Sequence, residues 1–338
     1  MTRKLNFLLM GAPRSGTTAL AQAINCHPLA FCGVEAFSIN DSHKNISFPR
    51  SFDNQLDRIP GANHHLLKQH LETKRATALI IGNKEPRYGL VLPKLLQKSP
   101  NLRLIFVYRN PSEFVDSWNR RARDAADETW HQGQRGLFGV LSLFGYLRSL
   151  TQIDCNCLVV PYGAFSRDVA GTTTQITRWL GIGEERLPDK AAIEQLQLIA
   201  NVVSTRAREV LGNEAEFLHA VAIQELDAIF GSTRTFAFSD ISRQVLDYVR
   251  SLHGRWGQRF VEALVGYEDP YAILYFRKLL RHPSVAAMFA EEAAFSPQLG
   301  AYLQALPRAL KLRRIFLRQS AIEPCERFIR RVRVSRAA

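Results

Sequence analysis

The residues best placed to do chemistry lie in a glycine-containing turn near the start of the sequence. The turn Gly11 to Gly16 follows the apolar run Leu5 to Met10, and Thr17 and Thr18 come directly after it. A strand that leads into such a turn and then a helix places backbone N–H groups and the helix N-terminus around an anion. Thr17 stands where the nucleoside-triphosphate pattern G-x-x-x-x-G-K-[ST] requires a lysine. Arg14 is the one cation in this stretch of sequence, so an ordinary ATPase or GTPase is disfavoured.

A second candidate anion site follows another apolar run later in the chain. Arg109 comes directly after the run Leu102 to Tyr108, and Ser117 stands eight positions beyond it on the expected next helix. A guanidinium fork and a hydroxyl placed in this way can converge on one phosphate. An ATP site needs one contiguous cradle, so two separate anion sites instead favour a nucleotide that carries phosphates at both ends.

Four segments resemble, in the same order, motifs of the sulfotransferases that use 3′-phosphoadenosine-5′-phosphosulfate (PAPS). Ala12–Leu20 is similar to the 5′-phosphosulfate loop of that family, and Gly82–Tyr88 is similar to its segment G-[DE]-K-[ST]-P. Phe106–Pro111, together with Ser117, is similar to its 3′-phosphate site. Leu158–Tyr162 is similar to its strand v-x-Y-E-d-L. The resemblance covers residues 5 to 182. The joint occurrence in order and spacing is more specific than any single motif.

The resemblance implies that PAPS is the co-substrate and that adenosine 3′,5′-bisphosphate (PAP) is the product. Arg14 would stabilise charge on the bridging oxygen as the sulfuryl group leaves. Tyr162 resembles the tyrosine that reaches the adenine, with a structural role at the edge of the core as its other interpretation. The residues implied to bind PAPS are Arg14, Ser15, Gly16, Thr17, Thr18, Arg109, Ser117 and Tyr162. No acidic residue ends a predicted strand as a Walker B aspartate does, so no metal site is predicted.

The reaction also needs a base that removes a proton from the acceptor. Glu35 follows the second predicted strand, where many members of the family carry a K-E-P-like segment whose glutamate is taken as the base. The residues on either side of Glu35 differ from that segment. Glu85 and His43 are therefore kept as alternatives. Lys84 is predicted to place a cation near the sulfuryl oxygens, with a structural ion pair as its other interpretation.

Two other functions are compatible with the same segments. One is a P-loop kinase-like phosphotransferase that uses ATP, which the missing lysine and metal ligand oppose. The other is a non-catalytic nucleotide-binding protein on the same scaffold. The sequence leaves open whether the acceptor is a small molecule, a glycan or a lipid, and it leaves the oligomeric state open.

The composition is that of a soluble globular protein. Of 338 residues, 46% are hydrophobic and 22% are charged. No apolar run approaches the roughly 20 residues that span a bilayer. The run Leu5 to Met10 is too short for a signal peptide and leads directly into the turn. The five cysteines are scattered without metal-binding spacing, which predicts reduced thiols and a cytoplasmic location.

Positive charge is concentrated at the end of the sequence. The segment from Pro307 to Ala338 contains ten Lys or Arg and two Glu, so it supplies +8 of the net charge of +13. The stretch Leu306 to Arg318 has the spacing of a basic amphipathic helix, which could contact an anionic membrane surface or pack one face on the protein. Its small apolar face favours packing. Nucleic acid is not an expected partner, because aromatic residues do not alternate with the basic ones.

Five apolar runs separated by helical patterns predict the scaffold. The runs are Leu5–Met10, Leu29–Val34, Ala78–Ile81, Leu102–Tyr108 and Cys157–Pro161. This alternation predicts an α/β fold, in which a parallel sheet is flanked by helices and binds ligands at the carboxyl ends of its strands. We predict a PAPS-binding core over residues 1–185. A largely helical C-terminal region with the basic tail is predicted over residues 186–338.

Overall fold

The computed structural model of the protein describes residues 5–35, 74, 77–123, 135–183, 187–204, 212–267 and 269–305. His43 and the basic stretch 306–318 lie outside these residues. The chain forms two compact units, of which the first comprises Met1–Arg109, Ser149–Ala207 and Ala228–Val245, and the second Asn110–Arg148, Arg208–Asp227 and Leu246–Ala338. The predicted domain division at residue 185 stays a prediction.

The first unit contains a six-stranded, mostly parallel sheet. Its strands are β1 (Phe7–Gly11), β2 (Ala30–Val34), β3 (Ile80–Lys84), β4 (Arg103–Tyr108), β5 (Cys157–Pro161) and β6 (Phe236–Ala237). They lie in the order β2-β3-β1-β4-β5-β6, and each neighbouring pair is parallel except β5 with β6. The predicted α/β fold with a parallel sheet is confirmed, and β6 makes the sheet mixed.

Four of the five predicted apolar runs agree with a strand to within one or two residues at each end, whereas the third run, Ala78–Ile81, shares only Ile80 and Ile81 with β3. All five residues of β1 are buried, because a parallel sheet covered on both faces requires apolar residues at successive positions. The sequence did not predict β6, which pairs antiparallel with Leu158 and Val159 inside a region predicted to be mostly helical. A strand of two residues has no periodic signal. Its pairing with β5 is what defines it.

Helices make up most of the remaining described residues. They are α1 (Thr17–Asn25), α2 (Leu92–Lys98), α3 (Pro111–Arg123), α4 (Gly136–Thr151), α5 (Tyr162–Arg167), α6 (Val169–Trp179), α7 (Lys190–Ser204), α8 (Gly212–Ala220), α9 (Ile223–Phe230), α10 (Ser242–Ser251), α11 (Gly257–Gly266), α12 (Pro270–Leu279), α13 (Pro283–Phe295) and α14 (Pro297–Ala305). Short 3-10 helices span Pro86–Val91 and Phe238–Asp240. The helical character predicted for the C-terminal region is confirmed in its described part.

The core of the first unit anchors α1 to the sheet. Leu20 and Ile24 lie four residues apart on one face of α1 and are fully buried in a cluster with Leu9 and Val107. Residues at this spacing share a helix face, and their burial is stabilising through the hydrophobic effect. Because α1 begins directly after the turn, this packing fixes the position of the candidate anion-binding loop.

An aromatic cluster forms the core of the second unit. The ring of Phe289 lies 4.8 Å from Trp256, 5.4 Å from Phe260 and 5.0 Å from Phe276, measured between ring centroids. Beside it, the buried carboxylate of Glu292 accepts hydrogen bonds from the backbone N–H groups of Trp256 and Gly257 at 2.9 and 2.8 Å. A carboxylate at the N-terminus of α11 satisfies N–H groups that have no partner within the helix.

No helix in the described part of the chain has both the length and the apolar character that crossing a membrane requires.

A buried lysine holds the connection between α1 and β2. The Nζ atom of Lys74 donates hydrogen bonds to the carbonyl oxygens of Asn25, His27 and Ala30, the last two at 2.5 and 2.7 Å. The residue is 4% exposed. Burial lowers the pKa of this amine to about 8, because it disfavours the charged form. Lys74 therefore caps the C-terminal end of α1 at Asn25 and joins it to the start of β2 at Ala30 through charge-assisted bonds.

We expect Lys74→Met to lower the free energy of unfolding by about 1–3 kcal/mol, because it removes the Nζ donor from three buried carbonyl groups, of which that of His27 keeps the N–H of Ala30 as a donor. Urea denaturation at neutral pH measures this loss. Lys94→Met, at an exposed position on α2, serves as the matched control and should change stability little. Equal stability of the two variants would contradict a capping role for Lys74.

The same residue predicts a pH dependence. An unfolded lysine keeps its proton up to about pH 10.5, whereas folded Lys74 begins to release it near pH 8. The unfolded state thus binds more protons between these values, so Lys74 makes the free energy of unfolding rise with pH in this window. The wild type should gain stability relative to Lys74→Met from pH 8 to pH 10.5.

Candidate nucleotide site

Five predicted site segments lie at one edge of the sheet, all in the first unit. β1, β2, β3, β4 and β5 are parallel, so their carboxyl ends meet at the same edge. The residues that directly follow these ends are Ala12, Glu35, Glu85, Arg109 and Tyr162. Ligands of open α/β sheets bind at this edge, so the topology brings the predicted residues to the place where a site is expected.

The turn after β1 has the backbone of an anion-binding loop. The N–H of Ser15 donates to the carbonyl of Ala12 at 2.9 Å. Arg14 and Gly16 both have left-handed φ values, 72° and 96°. A positive φ is uncommon for a residue with a side chain, and such strain occurs often at ligand sites. α1 begins at Thr17, so its first N–H groups, which lack partners within the helix, face this turn.

A buried hydroxyl in the turn is suited to an anionic ligand. Ser15 is 1% exposed, and its Oγ atom has no hydrogen-bond partner among the described residues. Leaving a buried polar atom without a partner costs about 1–3 kcal/mol. A phosphate or sulfate oxygen would remove that cost. Gly11 leaves room for this arrangement, because a Cβ atom there would lie 2.6 Å from the Ser15 Oγ.

Tyr162 and Arg109, which follow β5 and β4, both contact the turn after β1. A Cβ atom on Gly16 would lie 2.3 Å from the ring of Tyr162, so the ring packs directly on this glycine. The guanidinium carbon of Arg109 lies 4.5 Å from the centroid of the same ring. The Nη1 atom of Arg109 donates to the carbonyl oxygen of Arg14 at 3.1 Å, across 95 residues of sequence. The two predicted anion sites are therefore in direct contact.

Glu35 and Lys84 form an ion pair at the ends of β2 and β3. The Nζ atom of Lys84 lies 2.5 Å from the Oε1 atom of Glu35, and the side chains are 4% and 52% exposed respectively. The backbone N–H of Glu35 also donates to the carbonyl of Lys84 at 2.6 Å. Glu35 has a left-handed φ of 55°. Its carboxylate is thus held at a defined position and still reaches solvent.

The remaining candidates occupy different environments. Glu85 is 2% exposed, so its carboxylate is far less accessible than that of Glu35. Ser117 lies on α3 in the second unit and is half-buried. His43 lies outside the described residues. Within those residues, no group of three or more His, Cys, Asp or Glu side chains is arranged to hold a metal ion.

The described cysteines carry no disulfide. Cys26, Cys32 and Cys157 are buried, and Cys155 is half-buried. Burial raises the pKa of Cys26 and Cys155 to about 11, so both thiols stay protonated at neutral pH. Thiols of this kind are poor nucleophiles.

Three contacts of the site were not predicted from the sequence. They are the packing of Tyr162 on Gly16, the hydrogen bond from Arg109 to Arg14 and the pairing of Lys84 with Glu35. The sequence indicated the residues because each follows an apolar run. The sequence did not predict the contacts themselves, because the order of strands in a sheet does not follow from their order along the chain.

The sequence matches the model of the Sulfotransferase family over residues 7–186. No curated protein sequence matches the chain.

Three sulfotransferases are among the solved structures that the chain matches. The sulfotransferase domain of the Synechococcus olefin synthase is 14% identical, with a TM-score of 0.39, and the match covers 62% of this chain and 90% of that one. A sulfotransferase from Alicyclobacillus acidocaldarius is 18% identical, with a TM-score of 0.34 and coverage of 60% and 93%. A mouse sulfotransferase, whose structure is a complex with PAP, is 18% identical, with a TM-score of 0.37 and coverage of 61% and 68%.

We expect Gly16→Ala to lower the free energy of unfolding by about 1–3 kcal/mol, because the new methyl group meets the Tyr162 ring in a left-handed backbone. Thermal or urea denaturation measures the loss. Gly163→Ala is the matched control, since a Cβ atom there meets nothing nearer than 3.6 Å. If both variants are equally stable, the close approach of Tyr162 to Gly16 is wrong.

Proposed function

Because the chain belongs to the sulfotransferase family, we propose that it transfers the sulfuryl group of PAPS to a hydroxyl or amine acceptor. The contact between Arg109 and the carbonyl of Arg14 is the observation that carries this proposal. It joins two anion-binding elements at one sheet edge, and PAPS has an anionic group at both the 5′ and the 3′ position of one ribose. ATP has a single chain of phosphates and does not need the second element.

The turn after β1 would hold the 5′ end of PAPS. The Oγ atom of Ser15 is buried without a partner among the described residues, and the first N–H groups of α1 supply further donors. Thr17, which is 3% exposed, and exposed Thr18 add hydroxyls in the first turn of the helix. Arg14 supplies the cation of the loop. Its charge would stabilise the negative charge that develops on the leaving phosphate.

The 3′-phosphate would bind to Arg109. This side chain is 9% exposed, so its charge is partly shielded from water and interacts more strongly with an anion than a surface arginine does. Its guanidinium is planar and suits the geometry of phosphate oxygens. We propose Ser117 as a second donor to the same phosphate on the basis of its sequence position alone.

Glu35 is the proposed base. When PAPS is bound, its sulfuryl group is the electrophile that an acceptor oxygen or nitrogen attacks in line with the leaving phosphate. The exposed carboxylate of Glu35 can accept the proton of an incoming acceptor, which buried Glu85 is poorly placed to do. Lys84 orients Glu35 through their ion pair at 2.5 Å. We propose a small-molecule, glycan or lipid acceptor, because any of these can present a hydroxyl to such a site.

A ligand titration tests whether PAPS is the sulfuryl donor. Adenosine 3′,5′-bisphosphate should raise the melting temperature, since a ligand that binds only the folded protein stabilises it by RT ln(1 + [L]/Kd). Arg109→Ala should weaken binding about 10- to 100-fold, as expected for the loss of charge-assisted hydrogen bonds. Exposed Arg167→Ala is the matched control and should bind normally. Equal shifts with ATP and the bisphosphate that do not depend on Arg109 would contradict the PAPS assignment.

Measurement of product formation tests whether Glu35 is the base. With labelled PAPS and a panel of phenol, saccharide and amine acceptors, we expect Glu35→Gln to lower kcat about 100-fold or more. Its affinity for the bisphosphate should remain close to that of the wild type. Glu194→Gln, on the exposed part of α7, is the matched control. If Glu85→Gln abolishes turnover while Glu35→Gln remains active, Glu85 is the base. Bisphosphate binding without any sulfated product from wild type would favour a non-catalytic protein.

A further inference from the structure

We infer, on the basis of the proposed function, that Tyr162 is a positioning residue that couples the two phosphate-binding ends of the site. Its aromatic ring contacts both the 5′ turn, at Gly16, and the proposed 3′-phosphate ligand, Arg109. The site would thereby select nucleotides that carry both phosphates over nucleotides that carry one.

The first contact fixes the ring against the turn. Tyr162 is the first residue of α5, directly after β5, and it is 5% exposed. Gly16 has a φ of 96°, and a Cβ atom there would lie 2.3 Å from the Cδ2 and Cε2 atoms of the ring. Glycine is therefore required at this point for two reasons, its backbone conformation and the room that the ring occupies. A displacement of the ring would disturb the turn, and a displacement of the turn would disturb the ring.

The second contact orients the arginine. The Arg109 guanidinium carbon lies 4.5 Å from the ring centroid, which is within the range of a cation–π interaction. The face of an aromatic ring is a flat surface, so it restricts the plane of a guanidinium more than an aliphatic side chain does. With Arg109 only 9% exposed, few other orientations of its side chain are available.

The third contact joins Arg109 directly to the turn. The Nη1 atom of Arg109 donates to the carbonyl of Arg14 at 3.1 Å, and Arg14 lies two residues before Gly16. The Tyr162 ring thus packs against the turn and against the Arg109 guanidinium, and the guanidinium in turn donates a hydrogen bond to the turn. An anion that orders the turn at the 5′ end would also order Arg109 for an anion at the 3′ end. Preorganisation of this kind increases affinity because less freedom is lost on binding.

The sequence resemblance suggests another role for Tyr162, direct contact with adenine. The two roles depend on different parts of the side chain and on different parts of the ligand. A positioning role depends on the ring and affects the contribution of the 3′-phosphate. Adenine recognition through the hydroxyl would affect every adenine nucleotide equally.

Isothermal titration of the full chain with adenosine 3′,5′-bisphosphate and with 5′-AMP distinguishes these roles. The ratio of the two affinities measures what the 3′-phosphate contributes. We expect Tyr162→Leu to reduce this ratio about tenfold, because Arg109 loses its orientation. Tyr162→Phe keeps the ring and should restore the ratio to nearly that of the wild type. Phe276→Leu, in the buried aromatic core of the second unit, is the control for general destabilisation and should leave the ratio unchanged.

Three results would overturn the inference. A wild-type protein that does not prefer the bisphosphate would remove the proposed function and the inference with it. A wild type that prefers it, together with an unchanged ratio in Tyr162→Leu, would overturn the inference alone. Tyr162→Leu and Tyr162→Phe variants that both lose affinity for the two ligands by the same factor would assign the tyrosine to adenine instead. If Tyr162→Leu does not fold, Tyr162→Met fills more of the ring volume without an aromatic face and has the same expected ratio.

Discussion

The parallel alignment of five strands is the constraint on which the rest of the site depends. Because β1 to β5 all run in the same direction, every connection leaves the sheet at the edge where the strands end. Residues that are distant in sequence, such as Arg14 and Arg109, therefore meet there. The strands are apolar at successive positions and their polar residues lie toward the ends, so the same pattern that builds the core also concentrates the residues predicted to bind anions at one edge.

The electrostatics of the site follow from how its charges are held. Arg109 is largely buried, and its guanidinium contacts the ring of Tyr162 and the carbonyl of Arg14. Lys84 is also buried, and it is paired with Glu35. The Lys84–Glu35 pair holds a carboxylate in place at the ends of β2 and β3, whereas Arg109 and the turn lie at the ends of β4 and β1.

Much of the fold and the composition of the site could be predicted from the sequence. The apolar runs predicted β1 to β5, because a strand buried on both faces must be apolar throughout. The turn at Gly11 to Gly16 and the arginine after β4 predicted anion binding, because their chemistry depends on local residue types and spacing. β6 was missed because two residues carry no pattern. The segment around Lys74 resembles no motif, so its capping of α1 was not foreseen.

The sequence by itself determined that five apolar runs become β1 to β5 and that polar residues follow them, since these features depend on neighbours along the chain. Only the tertiary structure decided how those ends combine. The strand order placed Tyr162 against Gly16 and Arg109 against Arg14, and it paired Lys84 with Glu35. These contacts join residues that are far apart along the chain. They depend on strand order and on close packing, neither of which a local pattern of residues contains.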